Sequence, residues 1–134
     1  MRAMVIKGFG GTEVFEERDL LQPRPGPNDV LVRVRATSIN PVDIKIRRAG
    51  SWTGIQPPSI IGYDIAGVVE AVGEAVVDFV EGDKVYYTSE ISDKPGSYAE
   101  YHVADASIFA HMPSNLSFPE AASIPLAGGT AWIH

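Results

Sequence analysis

Apolar residues that alternate with polar ones recur along this chain in short runs and predict β-strands. In the clearest run, residues 30–36, three valines and an alanine fall on one face while a leucine and two arginines fall on the other. This period of two is typical of a half-buried strand. Residues 65–73 are nearly continuous in small and β-branched residues, and the glycines among them disfavour a helix. Further strands are predicted at residues 3–6, 85–88, 98–103 and 108–110. Many short strands between glycine and proline turns predict a mainly β fold, a barrel or a sandwich, with a few short helices.

Capping residues mark the points where helices begin. Asn40 is a favoured N-cap, the proline after it suits the first helical position, and Asp43 suits the positive end of the helix dipole. Ser117 and Glu120 have the spacing of a capping box. Residues 125–134 have the pattern of a third helix, which the end of the chain interrupts. The sequence therefore predicts three helices among the strands.

The composition is that of an ordinary globular domain. The chain has 134 residues, of which 45% are hydrophobic and 21% are charged, and this is long enough to bury one core. Its net charge of −6 is unfavourable for nucleic-acid binding, which depends on clustered cations. No apolar run approaches the length of a membrane span, and no signal peptide is visible. We therefore expect a cytoplasmic protein that binds neither nucleic acid nor a membrane.

Two further features of the composition bear on chemistry. The chain has no cysteine, which excludes disulfide bonds, thiolate ligands to zinc and a thiol nucleophile. Residues 45–48 form a basic cluster that begins with Lys45. Such a cluster is either a solvated helix face or a cationic rim near an anionic cofactor.

Four motifs occur in a fixed order and cover most of the chain. They are Asn40-Pro41-x-Asp43, then Gly62-x-Asp64-x-Ala66-Gly67-Val68-Val69-x-x-Val72-Gly73, then Gly82-Asp83-x-Val85, and finally Ile124-Pro125-x-Ala127-Gly128-x-Thr130-Ala131. With these motifs the chain resembles the GroES-like catalytic domain of the medium-chain dehydrogenases/reductases. The resemblance implies a GroES-like, partly open β-barrel.

The ligands that hold catalytic zinc in many members of that superfamily are missing. Zinc alcohol dehydrogenases place a cysteine where this chain has Asn40 and a histidine where it has Tyr63. Catalytic zinc needs three protein ligands drawn from Cys, His and carboxylates. The three histidines, His102, His111 and His134, lack the close spacing of a ligand cluster. We therefore expect no zinc.

The zinc-free branch of the superfamily resembles quinone oxidoreductases, which transfer hydride from NADPH to quinones or conjugated carbonyls. A simple ketone needs a Lewis acid to stabilise the developing alkoxide. A quinone or an enone delocalises that charge itself, so positioning and a few hydrogen-bond donors are sufficient. The resemblance thus implies NADPH as the cofactor and a quinone or enone as the substrate.

The resemblance also implies roles for two residues at the catalytic centre. Asn40 would lie where the nicotinamide and the substrate meet, with its amide donating to the carbonyl oxygen. The alternative is that Asn40 is a simple N-cap, and the two roles are compatible. Tyr63 would line the substrate pocket and donate to the reduced oxygen, or else it packs with its hydroxyl at the surface.

Three more residues are implied at the rim of the site. Thr130 belongs to a Thr-Ala motif that lies against the nicotinamide in the family. Lys45 belongs to the basic cluster that could contact an anionic cofactor, and it occupies a position where quinone reductases often have an aromatic residue, so this member could also prefer another substrate. Trp52 is the candidate to line the substrate pocket instead.

We expect residues 1–134 to be one catalytic domain of a longer protein. The spacing of Gly62 and Gly67 is not that of a dinucleotide-binding Gly-x-Gly-x-x-Gly turn. The nucleotide-binding domain would therefore lie beyond His134, and the chain alone would bind NADPH weakly or not at all. The full-length protein would be a homodimer.

Two other interpretations remain open at this stage. The chain could derive from a zinc-type alcohol dehydrogenase whose ligands have changed. It could also be a non-catalytic GroES-like binding module. Stoichiometric zinc in the full-length protein would favour the alcohol dehydrogenase. A reading frame that continues into a glycine-rich β-α-β segment would favour the oxidoreductase over a binding module.

Overall fold

The computed structural model describes residues 1–133, except for the side chain of Ile133. Within that range it has seven β-strands, three α-helices and three short 3-10 helices. The strands are β1 (Arg2–Ile6), β2 (Phe15–Asp19), β3 (Asp29–Ser38), β4 (Asp64–Val72), β5 (Lys84–Thr88), β6 (Tyr101–Asp105) and β7 (Ala110–His111). The α-helices are α1 (Pro41–Ala49), α2 (Phe118–Ala122) and α3 (Pro125–Ile133). The 3-10 helices are Thr12–Val14, Gly50–Thr53 and Ala106–Ile108.

All strand pairs are antiparallel and fall into two sheets. Five strands form a sheet in the order β6-β3-β4-β5-β7, and β1 pairs with β2. Single bridges, Ala3 to Ala99 and Ile6 to Ser59, join β1 to two of the connecting segments. The larger sheet has free edges at β6 and β7, so its described strands do not close a ring. The predicted mainly β fold with a few short helices is confirmed.

The apolar run at 65–73 lies in β4, and its position in the sheet explains its composition. β4 is the central strand, paired with β3 on one side and β5 on the other, and its first half is buried. A strand buried on both faces needs no alternation of polar residues. The register of β3 and β4 shifts near Gly67, where a Cβ would overlap the Arg33 carbonyl oxygen. Glycine therefore allows the two backbones to approach closely.

The core consists of two main clusters. One is built on the large sheet, and the other lies between α1, β1 and the segment that leads into β4. The first contains Val30, Val32, Ile65, Val69, Phe79, Val85 and Tyr87. The second contains Ile6, Ile46, Ile55, Ile61 and Tyr63. Among the described residues, no helix has the length and apolar content needed to cross a membrane.

A histidine is buried beside the first cluster. His102 on β6 is almost fully buried, and its Nδ1 lies 2.8 Å from the Tyr87 hydroxyl. Burial lowers the pKa of His102 from 6.5 to about 4, although the Pro95 backbone carbonyl opposes the shift. The imidazole is thus neutral at physiological pH, and its Nδ1 can accept the hydrogen bond of Tyr87.

The buried imidazole predicts a loss of stability in acid. Between pH 6.5 and about 4 the unfolded chain binds a proton at His102 that the folded chain does not. The free energy of unfolding should therefore fall as pH decreases through this window, by a total on the order of 3 kcal/mol. Urea denaturation of the 134-residue chain at several pH values should show this slope. His102→Gln should flatten it, whereas His111→Gln, which removes an exposed histidine, should leave it intact. An unchanged slope in His102→Gln would contradict the assignment.

Candidate functional site

A buried carboxylate lies at the point where the larger sheet meets two helices. Asp64, the first residue of β4, is 0% exposed and accepts three hydrogen bonds. Its Oδ2 accepts from Ser38 Oγ at 2.5 Å and from Asn40 Nδ2 at 2.9 Å. Its Oδ1 accepts from the Leu126 backbone N–H at 2.8 Å. We call Asp64, Ser38, Asn40 and the first turn of α3 the Asp64 site.

The register of β3 and β4 places Asn40 against Asp64. Ser38, the last residue of β3, pairs with Asp64. Two residues further on, Asn40 is the N-cap of α1, and its backbone N–H donates to the Asp43 carboxylate at 2.7 Å in a capping box. The turn from strand to helix therefore carries the Asn40 amide to Asp64. A carboxylate only accepts, so the amide must present its nitrogen to Asp64, and the second N–H of that nitrogen has no protein acceptor among the described residues.

Asp64 also holds the start of α3. Leu126 is the second residue of this helix, where backbone N–H groups have no partner within the helix. Asp64 Oδ1 satisfies that N–H and places negative charge at the positive end of the helix dipole. α3 packs against β4 and β5. It carries Thr130, whose side chain is exposed.

The backbone around Asp64 is fixed by hydroxyl groups. Thr37 Oγ1 donates to the Asp64 carbonyl oxygen at 2.7 Å and lies 2.7 Å from Ser97 Oγ. Thr88 Oγ1 donates to the Tyr63 carbonyl oxygen at 2.9 Å. These bonds connect Tyr63 and Asp64, at the entry to β4, to the neighbouring strands β3 and β5.

Gly62 sets the direction from which the chain enters β4. Its φ is +102°, a conformation that residues with a side chain rarely adopt. A Cβ at this position would overlap Ser97 Oγ and the Tyr98 ring. The Ser97 backbone N–H donates to the Gly62 carbonyl at 3.0 Å. Glycine is therefore required here on two independent grounds.

The structure places the five residues predicted for the site in different surroundings. Asn40 is half-buried at Asp64, and Thr130 is exposed on the helix that Asp64 caps. Lys45 is exposed on α1, and Trp52 is 65% exposed in a 3-10 helix. Tyr63 is 2% exposed and belongs to the core cluster under α1. The Asp64 site thus brings together Asn40 and the helix of Thr130. The position of Tyr63 favours packing, but the expectation that its hydroxyl lies at the surface was wrong, because the whole side chain is buried in the core.

The electrostatics near Tyr63 are set by a second buried carboxylate. Burial raises the pKa of Asp43, although the hydrogen bond from the Asn40 N–H and the influence of the Tyr98 hydroxyl oppose the rise. Burial, and then the charge of Asp43, raises the pKa of Tyr63 to about 12 and also raises the pKa of Tyr98. Both phenols are therefore protonated at physiological pH. They can donate hydrogen bonds but do not supply a phenolate base.

A cavity of about 850 Å³ lies between α1, the two-stranded sheet and the second half of β3. Its walls are mostly apolar and include Phe15, Ile44 and Tyr98. Asp43 Oδ1 and Arg47 Nε are buried at this cavity and have no hydrogen-bond partner among the described residues. The cavity is lined by none of the five residues predicted for the site. The cavity nevertheless adjoins the Asp64 site, because its lining includes Thr37, which donates to the Asp64 carbonyl oxygen, and Asp43, which accepts from the Asn40 N–H.

Asp64 lies within one of the sequence motifs, which do not by themselves imply a role for it. One signal was available, because Asp64 is the single charged residue in the apolar run from Ile60 to Val69. A carboxylate in such a run is buried and must find donors. The identity of those donors, Ser38 and the Leu126 N–H, depends on strand register and on the docking of α3. Sequence spacing does not reveal either.

In residues 1–133, no group of three or more His, Asp or Glu side chains has the proximity needed to hold a metal ion. Asn40 faces Asp64, and Tyr63 is packed in the core.

The sequence profile of the alcohol dehydrogenase GroES-like domain matches residues 26–114. This span runs from the turn before β3 to the segment after β7 and contains Ser38, Asn40 and Asp64. The chain belongs to the alcohol dehydrogenase GroES-like domain family. The fold expected from the motifs is therefore confirmed.

Individual relatives of this GroES-like domain include several named oxidoreductases. The chain is 40% identical to an NADPH-dependent alkenal/one oxidoreductase of Arabidopsis thaliana over 98% of its own length. It is also 40% identical, over 90% of its length, to a zinc-type alcohol dehydrogenase-like protein of Staphylococcus aureus. The structure of the quinone oxidoreductase from Coxiella burnetii superposes on 99% of the chain with a TM-score of 0.93 and 35% identity. The chain covers 36%, 34% and 43% of these three proteins, respectively.

The requirement for glycine at position 62 can be tested against a matched glycine. Gly82 also has a positive φ, +94°, but a Cβ there would meet nothing within 4 Å. Gly82→Ala should therefore cost only backbone strain, about 1 kcal/mol. Gly62→Ala adds steric overlap and should lower the free energy of unfolding by about 3 kcal/mol or more. Equal losses in urea denaturation would show that the GroES-like domain tolerates a side chain at the entry to β4.

Proposed function

We propose that the chain is the catalytic domain of a longer NADPH-dependent oxidoreductase that reduces quinones or conjugated carbonyls by hydride transfer. The relatives named above support the reaction class, since two of them are a quinone oxidoreductase and an alkenal/one oxidoreductase. The observation that carries the proposal is the Asn40 amide. It is half-buried, oriented by Asp64, and adjacent to the first turn of α3.

The donor set at the Asp64 site fits the neutral end of a nicotinamide nucleotide. The free N–H of Asn40 and the exposed hydroxyl of Thr130 are uncharged donors of the kind that a carboxamide or a substrate carbonyl accepts. The N-terminus of α3 already holds the Asp64 carboxylate, so it is not open to a pyrophosphate. We therefore propose that the nucleotide phosphates are bound by a separate domain outside this chain.

The division of chemical roles follows from these groups. When bound, NADPH would supply a hydride, and the one proton that completes the two-electron reduction would come from solvent. Asn40 donates a hydrogen bond to the oxygen of the acceptor, where negative charge develops. Thr130 and, at the rim, Lys45 contact the cofactor. Trp52 contacts the substrate from the exposed 3-10 helix, while Tyr63 supports the floor of the site as a protonated phenol.

We also propose that the enzyme works without zinc. The support is the donor set, because an amide at position 40 and a packed phenol at position 63 are poor replacements for thiolate and imidazole ligands. A zinc-type alcohol dehydrogenase relative is the second candidate, favoured by the 40% identity to the Staphylococcus aureus protein. Metal analysis of the full-length protein distinguishes the two candidates. We expect less than about 0.1 zinc per chain at a site whose ligands are absent, and stoichiometric zinc would support the second candidate.

The remaining features of the proposal concern the full-length protein. We propose that it is a cytoplasmic homodimer whose substrate is a small molecule rather than a nucleic acid. The net charge of −6 supports the last point.

Substrate preference tests the proposed function directly. The full-length protein should oxidise NADPH in the presence of a quinone or an alkenal, and should show little activity with a saturated ketone. A saturated ketone lacks the conjugation that spreads the developing charge. Initial rates from NADPH absorbance provide the measurement. Turnover of saturated ketones as fast as quinones would refute the assignment.

Asn40→Ala tests the role of the amide. Loss of one hydrogen bond to the reacting oxygen should lower kcat by about 10²-fold. The Kd of NADPH should change by no more than about twofold, because most of the nucleotide binds elsewhere. Asn115→Ala, which removes an exposed loop asparagine, is the matched control and should behave as wild type. Unchanged turnover in Asn40→Ala would remove Asn40 from the site.

A further inference from the structure

We infer that Asp64 is a positioning residue of the hydride-transfer site, because one carboxylate orients the Asn40 amide and also fixes the first turn of α3. This inference rests on the proposed function for its catalytic consequence. It adds a residue for which sequence analysis assigned no role. It also predicts an energetic coupling between two segments that lie more than eighty residues apart in the chain.

The charge environment of Asp64 supports a positioning role. The carboxylate is fully buried, and the ion pairs in the described part of the chain all lie elsewhere. Burial of a carboxylate without a cation is unfavourable unless donors surround it. Here the donors come from Ser38, from Asn40 and from the N-terminus of α3. Asn40 is also the N-cap of α1, so the positive ends of two helix dipoles meet at this group.

The two carboxylate oxygens of Asp64 bind different segments of the chain. Oδ2 accepts from Ser38 and Asn40, whereas Oδ1 accepts from the Leu126 N–H. If the carboxylate rotates to follow one segment, it loses the bond to the other. An asparagine at position 64 would have one acceptor oxygen, so its amino group would face either Asn40 and Ser38 or the α3 N-terminus. Asp64→Asn, which replaces one carboxylate oxygen with an amino group, therefore uncouples Asn40 from α3 with little change in side-chain volume.

The coupling through Asp64 also serves the proposed reaction. The bond to Asp64 uses one N–H of the Asn40 amide and leaves the other in a defined direction. A free asparagine side chain would rotate, and its carbonyl oxygen would repel a developing oxyanion. The same carboxylate fixes the helix that carries Thr130. Both neutral contacts proposed for the nicotinamide end thus depend on Asp64, which itself does not need to touch the cofactor or the substrate.

A double-mutant cycle in the full-length enzyme tests this role. Asp64→Asn should lower kcat about tenfold or more and change the Kd of NADPH by no more than about twofold. Because Asp64 acts through both the Asn40 amide and α3, Asp64→Asn should lower kcat by a clearly smaller factor in the Asn40→Ala background than in the wild-type enzyme, and the residual loss reports the contribution of α3. The matched control is Asp105→Asn, because Asp105 also accepts a backbone N–H at the start of a helix but has no contact with Asn40. Independent, multiplicative losses of kcat would overturn the positioning role.

Hydrogen exchange provides a readout that requires neither cofactor nor activity. Asp64→Asn should increase the exchange rate of the Leu126 amide about tenfold or more, and Asp105→Asn should not. Asn40→Ala leaves Asp64 in place, yet it should also increase Leu126 exchange, because coupling through one carboxylate is reciprocal. Asn40→Ala therefore tests the coupling even if Asp64→Asn does not fold. Unchanged Leu126 exchange in Asn40→Ala would overturn the coupling.

The two sets of measurements separate failure of the inference from failure of the proposed function. Faster Leu126 exchange in a protein that reduces neither quinones nor alkenals would support the coupling and reject the function. An active enzyme with unchanged exchange and multiplicative kcat losses would reject the positioning role and leave the function standing.

Discussion

The candidate site depends on the buried Asp64 carboxylate, which accepts three hydrogen bonds. Asp64 lies at the start of the central strand, where no water can replace a missing donor. The end of β3, the N-cap of α1 and the first turn of α3 must therefore all be in place around it. Each of these segments is short. The Asp64 carboxylate is the hydrogen-bond acceptor that all three segments share.

The rest of the fold can be understood as support for this arrangement. Antiparallel pairing of β3 and β4 sets the register of Ser38 against Asp64, and Gly67 allows the two backbones to approach. Gly62 turns the chain into β4. The apolar cluster under α1, which includes Tyr63, holds that helix in place from the opposite side. Packing, turn geometry and polar contacts thus act together on a stretch of only a few residues.

Much of the fold was predictable from sequence, because it depends on local signals. The alternation in residues 30–36 predicted part of β3, and the capping residues at Asn40 and Ser117 predicted the starts of α1 and α2. The motifs predicted the family. The site was less predictable, because Asp64 finds its donors through register and helix docking. Tyr63 shows the limit most clearly, since it lies in the segment before β4 and its place in the sequence does not reveal whether its side chain meets the core or a ligand.

The central claim is that the position of a zinc ligand in related enzymes is taken here by an amide that Asp64 orients for a hydride acceptor. A crystal structure of the full-length protein with NADPH, collected with anomalous data at the zinc edge, tests it most directly. We expect Asn40 Nδ2 to remain within about 3.2 Å of the Asp64 carboxylate while its free N–H faces the nicotinamide cleft. A metal ion bound at Asn40, or an Asn40 side chain turned away from both Asp64 and the cleft, would contradict it.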